Sequence, residues 1–138
     1  MRPIAALLAS VLLISAVPPG AASAHHSFAM YDQSKRLVLK GEVRKFMWTN
    51  PHVIIWLNAA PITGGPTAVW SIEITSPGNL SRMGWTRNSL KPGDAVEMEV
   101  LPLIDGGNGG AFENATLLAT GQKLTANWVQ SSSVGPKP

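Results

Sequence analysis

The chain has 138 residues, no cysteine, and a formal charge of +3 from 11 basic and 8 acidic side chains. Without cysteine there are no disulfides, no thiolate metal sites, no cysteine nucleophile and no lipoprotein anchor, so the fold must rest on apolar packing. The charges are interspersed and their excess is too small to argue for nucleic acid, and the length suits one small domain rather than two.

Arg2 precedes an apolar run from Ile4 to Val17, which ends in Gly20-Ala21-Ala22-Ser23-Ala24. A basic start, a short apolar stretch and a small-residue A-x-A end form the pattern of a secretory signal peptide. The run falls short of the roughly 20 apolar residues that span a bilayer, and no later stretch approaches that length. Residues 1–24 therefore read as a signal peptide, and the mature product as periplasmic or secreted with no transmembrane segment. Cleavage after Ala24 makes His25 the new amino terminus, with His26 beside it. Cleavage two residues earlier leaves Ser23-Ala24-His25, whose amine, two backbone nitrogens and third-position imidazole form a square-planar set for Cu(II) or Ni(II).

An N-terminal arm, residues 25–34, ends in the polar linker Tyr31 to Ser34. Lys35 to Trp48 reads as a long strand with Leu37, Leu39 and Val43 on one face and Gly41 as the place for a bulge. Thr49-Asn50-Pro51 is turn chemistry, and the β-branched run His52 to Leu57 makes the second strand of a hairpin. The loop Ala59 to Thr67 leads to Val69–Thr75, where Trp70, Ile72 and Ile74 alternate with polar neighbours. Ser76 is placed to cap a short helix, Pro77 to Met83, with Gly84 as its stop and Leu80 and Met83 facing inward. After the Lys91-Pro92-Gly93-Asp94 turn, Val96, Met98 and Val100 alternate again. Asp105 to Gly110 reads as a glycine-rich hairpin loop, and Phe112 to Leu118 as a fifth strand of irregular pattern.

This order implies an all-β domain with one short helix, a small five-stranded OB-like barrel over residues 35–128, followed by a disordered tail, 129–138. An open β-sandwich is the competing arrangement. A fold of this kind carries no function by itself.

The His25-His26-Ser27-Phe28 start, Trp48-Thr49-Asn50-Pro51-His52, Ser76-Pro77 with Leu80 and Gly84-Trp85-Thr86-Arg87, and Leu90-Lys91-Pro92-Gly93-Asp94 occur in one order. On these stretches the chain, from about His25 to Leu124, resembles a family of small exported bacterial proteins of unknown function. It departs from the pattern at Thr120, where an aspartate before Gly121 is expected. The resemblance implies export and a β-rich domain and supplies no activity.

Chemistry-bearing residues are few. The mature chain has the histidines His25, His26 and His52. An amine and imidazole on His25, with one more imidazole from His26 or His52, make a three-nitrogen set of the kind Cu(II) prefers. Adjacent residues seldom ligate together without strain, so His52 is the easier third ligand if the arm folds back. The bland alternative is a polar start and a His52 packed beside Trp48. The five tryptophans offer a second candidate: Trp48, Trp85, Arg82 and Arg87 as a surface for an anionic small molecule or a protein partner, set against ordinary packing and a solvated rim. Glu73, Glu97 and Glu99 alternate outward, with no acid/base pair legible. There is no G-x-S-x-G elbow, H-E-x-x-H pair, phosphate loop or dinucleotide fingerprint. The sequence points to an exported barrel that binds rather than catalyses, with copper as the candidate cofactor. Its alternatives are a Trp/Arg binding module and a small copper-dependent oxidase-like enzyme.

Overall fold

The computed structural model describes residues 28–126; the segment 1–24 expected to be a signal peptide, His25, His26, Trp128 and the expected tail lie outside them. A 3₁₀ turn, Phe28–Met30, precedes strands β1 (Leu37–Met47), β2 (Ile54–Pro61) and β3 (Ala68–Glu73). Helix α1 (Pro77–Arg82) follows, and then β4 (Ala95–Pro102), β5 (Gly109–Leu117) and β6 (Lys123–Thr125). The strands run β3-β2-β1-β4-β5-β6, and β3 also pairs with β5. That pairing is parallel, through Ser71, Ile72 and Glu73 against Gly109, Gly110 and Ala111, whereas the others are antiparallel. It closes five strands into a barrel of OB type, with β6 as a hairpin appended to β5. Closure removes the exposed edges that an open sheet would leave.

The barrel interior follows strand alternation. Trp70, Ile72, Ile74, Val96, Met98 and Val100, all expected inside, are no more than 8% exposed. They pack with Leu39, Val43, Ile55, Leu57, Phe112 and, from α1, Leu80. The buried Trp70 indole donates to the carbonyl of Ala59 at 3.1 Å, so its one polar atom is satisfied. Helix α1 is cut as its sequence implies. The Ser76 hydroxyl accepts from the Asn79 N–H, Pro77 begins the helix, and Gly84 adopts φ 86°. The N–H groups of Gly84 and Trp85 then bond back to Ser81 and Leu80, which satisfies the carbonyls a helix end leaves open. Met83 is the cap residue just past the helix and packs partly against the core.

The expected bulge at Gly41 is displaced. Against β2 the register slips between Val43 and Lys45, with Arg44 as the extra residue. Val43 is gripped at the same point by the turn before β4, since its N–H donates to Asp94 and its carbonyl accepts from Gly93. Gly41 instead marks a close crossing, where a Cβ would lie 2.5 Å from the Ala59 Cα. The hairpin-loop reading of Gly109 and Gly110 also changes, because both belong to β5 at the barrel seam. A Cβ on Gly110 would stand 2.6 Å from the Leu101 carbonyl oxygen and 3.0 Å from a Val100 methyl. Neighbouring chains approach so closely there that a side chain has no room.

β5 is irregular for two physical reasons. Its register against β4 slips at Glu113, opposite the Glu99–Val100 step. At its start, both faces are covered: Phe112 points into the barrel, while Ala111 lies under Tyr31. The residues read as a polar linker therefore begin with a core residue. Tyr31 is 6% exposed and joins Leu101, Ala111, Phe28 and Leu103 in a second, smaller apolar cluster on the outside of the barrel. Backbone bonds fasten this arm to the end of β4, from Asp32 N–H to the Pro102 carbonyl (2.8 Å) and from Ile104 N–H to the Met30 carbonyl (3.0 Å).

Candidate functional site

The arm, the β1–β2 turn and the end of β3 meet at Glu73. Ile54 and Glu73 are register partners, and just beyond them Val53 exchanges backbone bonds with Thr75 and Ile74. Val53 and Ile74 are buried, so strand alternation turns His52 and Glu73 outward as diagonal neighbours, within reach of one another. The Asn50–Pro51 peptide bond just before His52 is cis.

Glu73 is thus outward-facing as the alternation implies, but the reading of it as an unpaired surface acid is corrected by its contacts. His52 Nδ1 pairs with Glu73 Oε1, and the Tyr31 hydroxyl donates to Glu73 Oε2 at 2.7 Å. One carboxylate therefore holds an imidazole with one oxygen and a buried phenol with the other. A carboxylate only accepts hydrogen bonds, so His52 Nδ1 carries a proton and the lone pair of the neutral ring is on Nε2. This is the orientation in which a carboxylate prepares a histidine for a metal. The His52 and Glu73 side chains are 28% and 22% exposed, so the pair lies at the surface rather than within the core.

Burial, followed by the hydrogen bond to Glu73 and the charge of that residue, raises the Tyr31 phenol well above its ordinary range. The phenol is consequently a donor at any physiological pH. Next to it, hydrogen bonds from Ser34 and Lys35 lower the Asp32 carboxyl to about 2. The Ser34 hydroxyl lies 2.6 Å and the Lys35 amine 2.9 Å from Asp32. The arm is thus locked by local contacts as it leaves the barrel.

The residues proposed from sequence for a Trp/Arg surface are distributed differently. Trp85 is 4% exposed, meets Phe112 edge to face at 5.4 Å and donates to the Thr125 carbonyl at 2.9 Å. Phe46 lies between Trp85 and Trp48 and contacts both rings. Trp48 therefore packs on Phe46, while His52 is engaged by Glu73. Arg87 donates to the Trp48 carbonyl at 3.3 Å, whereas Arg82 turns to Asn79 on its own helix. Trp48 and Arg87 are brought together, and the Trp85 indole is inside. A polar open cleft of about 390 Å³ lies near Thr86, Ser89, Lys91 and Asp94. Two of its polar groups are committed to turns, since Ser89 Oγ accepts from Thr86 N–H and Asp94 accepts from Lys91 N–H.

Tyr31 and Glu73 are the site residues that sequence reasoning missed. Their partnership spans 42 positions and leaves no periodic trace. Glu73 next to the strand-end histidine's hairpin partner was the available hint, since like-facing residues at a hairpin mouth are close in space.

The fold and this cluster define a small OB-type barrel whose N-terminal arm is pinned outside the closing seam. Residues 12–113 match the family of unknown function designated DUF6152, and the chain belongs to that family. No curated protein and no solved structure matches the chain.

Proposed function

We propose that this protein is an exported metal-binding barrel that holds Cu(II) at its processed amino terminus, through the His25 amine and imidazole with His52 or His26 as a further nitrogen ligand. The observation that carries the reading is the shared carboxylate of Glu73, which orients His52 through Nδ1 and anchors the arm through Tyr31. His25 lies three positions before Phe28, where the 3₁₀ turn begins, so the segment ahead of the turn reaches at most about 10 Å in extended chain. Borderline metals such as Cu(II) favour this imidazole and amine chemistry. The reading is one of binding, and export creates the site by freeing the His25 amine.

Cu(II) titration of the native-start protein and of a form with one added residue before His25, each followed by electron paramagnetic resonance, tests it. The added residue converts the ligating amine to an amide and should weaken binding and alter the spectrum. Equal affinities and spectra would remove the amino terminus from the site. An exported protein that retains Met1 would remove the site altogether.

A further inference from the structure

We propose that the outer face of β1, β2 and β3, centred on Trp56, binds an acidic saccharide: a pyranose ring stacks on the indole while its carboxylate meets Arg44 and Lys45. This face shares no residue with the copper reading and does not depend on it.

Of the described tryptophans, Trp70 and Trp85 are inside and Trp48 packs on Phe46, whereas Trp56 is 37% exposed. It stands on the central strand of three, with Lys45 of β1 on one side and Ser71 of β3 on the other as register partners. The indole N–H reaches the sulfur of Met47, a diagonal neighbour on β1, at 3.4 Å. That contact fixes the lean of the ring, so a ligand meets a surface already set in place. Val69, diagonal to Trp56 on β3, is 39% exposed and extends the apolar strip.

The polar surroundings define what covers this strip. The register slip that makes Arg44 the extra residue of β1 sets two consecutive cations against Trp56. Among the described residues the salt bridges belong to Lys35, Arg36 and His52, so neither Arg44 nor Lys45 has an acidic partner. Of the acids on this face, Glu73 is engaged by Tyr31 and His52, and Glu42 lies further along, opposite Asn58. The Asn58 amide and the Ser71 hydroxyl make no side-chain hydrogen bond among the described residues. An apolar platform, two unpaired cations and two unfilled hydrogen-bonding groups match a ring with a C–H face, an anionic substituent and a rim of hydroxyls, which is a uronic acid residue. A nucleic acid strand asks instead for several aromatic platforms along a continuous basic groove. Trp56 is a single platform.

Calorimetric titration with a hexamer of β-1,4-linked mannuronate tests the proposal, beside the neutral mannose hexamer of the same linkage and a six-nucleotide oligothymidylate. The mannuronate hexamer should bind best, with an affinity that falls as salt rises. Trp56→Ala, a change at the surface, should weaken its binding by roughly 10-fold. Arg44→Gln and Lys45→Gln should each weaken it by about 2- to 5-fold. In native protein the sugar should shift the Trp56 indole N–H signal in nuclear magnetic resonance and leave those of Trp70 and Trp85 in place, a readout that needs no variant. Binding of neither saccharide, equal affinity for the neutral hexamer, or a native mannuronate affinity in Trp56→Ala would overturn the proposal, as would a Trp56 signal that the sugar does not move. Tighter binding of the oligothymidylate would overturn it in favour of nucleic acid. A Trp56 signal that shifts with protein concentration alone would assign the face to a second copy of the chain instead.

Discussion

The molecule has two apolar clusters of different construction. The barrel interior is built from strands that each contribute alternate residues, so Ile55, Leu57, Trp70, Ile72, Val96, Met98 and Val100 face one another by the geometry of the pleat alone. The outer cluster of Tyr31, Leu101 and Ala111 has no such rule. It exists because a preceding segment lies across the seam where β3 meets β5, and its polar boundary is the Tyr31–Glu73–His52 group. The interior supplies most of the stability, whereas the outer cluster positions residues at the surface. Their contrast explains why Val100 and Leu101, adjacent in sequence, are both buried: each faces a different core.

The sharpest test of this contrast is a pair of truncations. Ile72→Ala, in the interior at 0% exposure, should cost about 2 to 5 kcal/mol in chemical denaturation. Leu101→Ala, beneath the arm, should fall near the low end at about 2 kcal/mol, because the arm can settle into the space left. A Leu101 loss equal to or above that of Ile72 would abolish the distinction, and an Ile72 loss below roughly 0.5 kcal/mol would break the strand register.

The seam that lies between the clusters comes next. Gly110→Ala places a Cβ against the Leu101 carbonyl and Val100, and such overpacking should cost about 1 to 3 kcal/mol. A neutral result in the same denaturation measurement would mean that β4 and β5 part at Leu101 and Gly110 far enough to admit a methyl group.

The smallest expected effect is at Tyr31. Its phenol loses a hydrogen bond to a partly exposed carboxylate in Tyr31→Phe, a change of about 1 kcal/mol at neutral pH. The pH dependence has a definite sign. Because the folded protein holds the phenolic proton more tightly than the unfolded chain, this contribution is complete below the unfolded value of about 10 and fades as pH rises above it. Denaturation midpoints measured between neutral pH and the highest pH the fold tolerates should therefore fall more steeply in native protein than in Tyr31→Phe. Parallel curves would detach Tyr31 from Glu73.

Much of the barrel is legible in the sequence. Period-two alternation in Trp70-Ser71-Ile72-Glu73-Ile74 and in Val96 to Val100 specifies buried faces locally. Ser76-Pro77 and Gly84 likewise bracket a helix by capping chemistry that needs no distant partner. The small barrel follows from the order of those elements. Strand β6 was missed because Lys123-Leu124-Thr125 is too short to show a period.

His52 was legible as a residue, since a lone histidine after Asn-Pro at a strand entrance is visible in any reading. Its environment was not. Glu73 looked like one more outward glutamate, and Tyr31 looked like linker, because nothing local to either records the other. What the sequence by itself determined about this protein is the alternation, the caps and turns, and hence an all-β domain with one short helix. What only the tertiary structure decided is the displaced bulge at Arg44, the seam at Gly109 and Gly110, the burial of Trp85, and the sharing of Glu73 between Tyr31 and His52. The physical reason is range: a strand's pleat and a helix's caps act over a few residues, whereas closure of the barrel brings together groups from the arm, β3 and β5 whose meeting depends on every element between them.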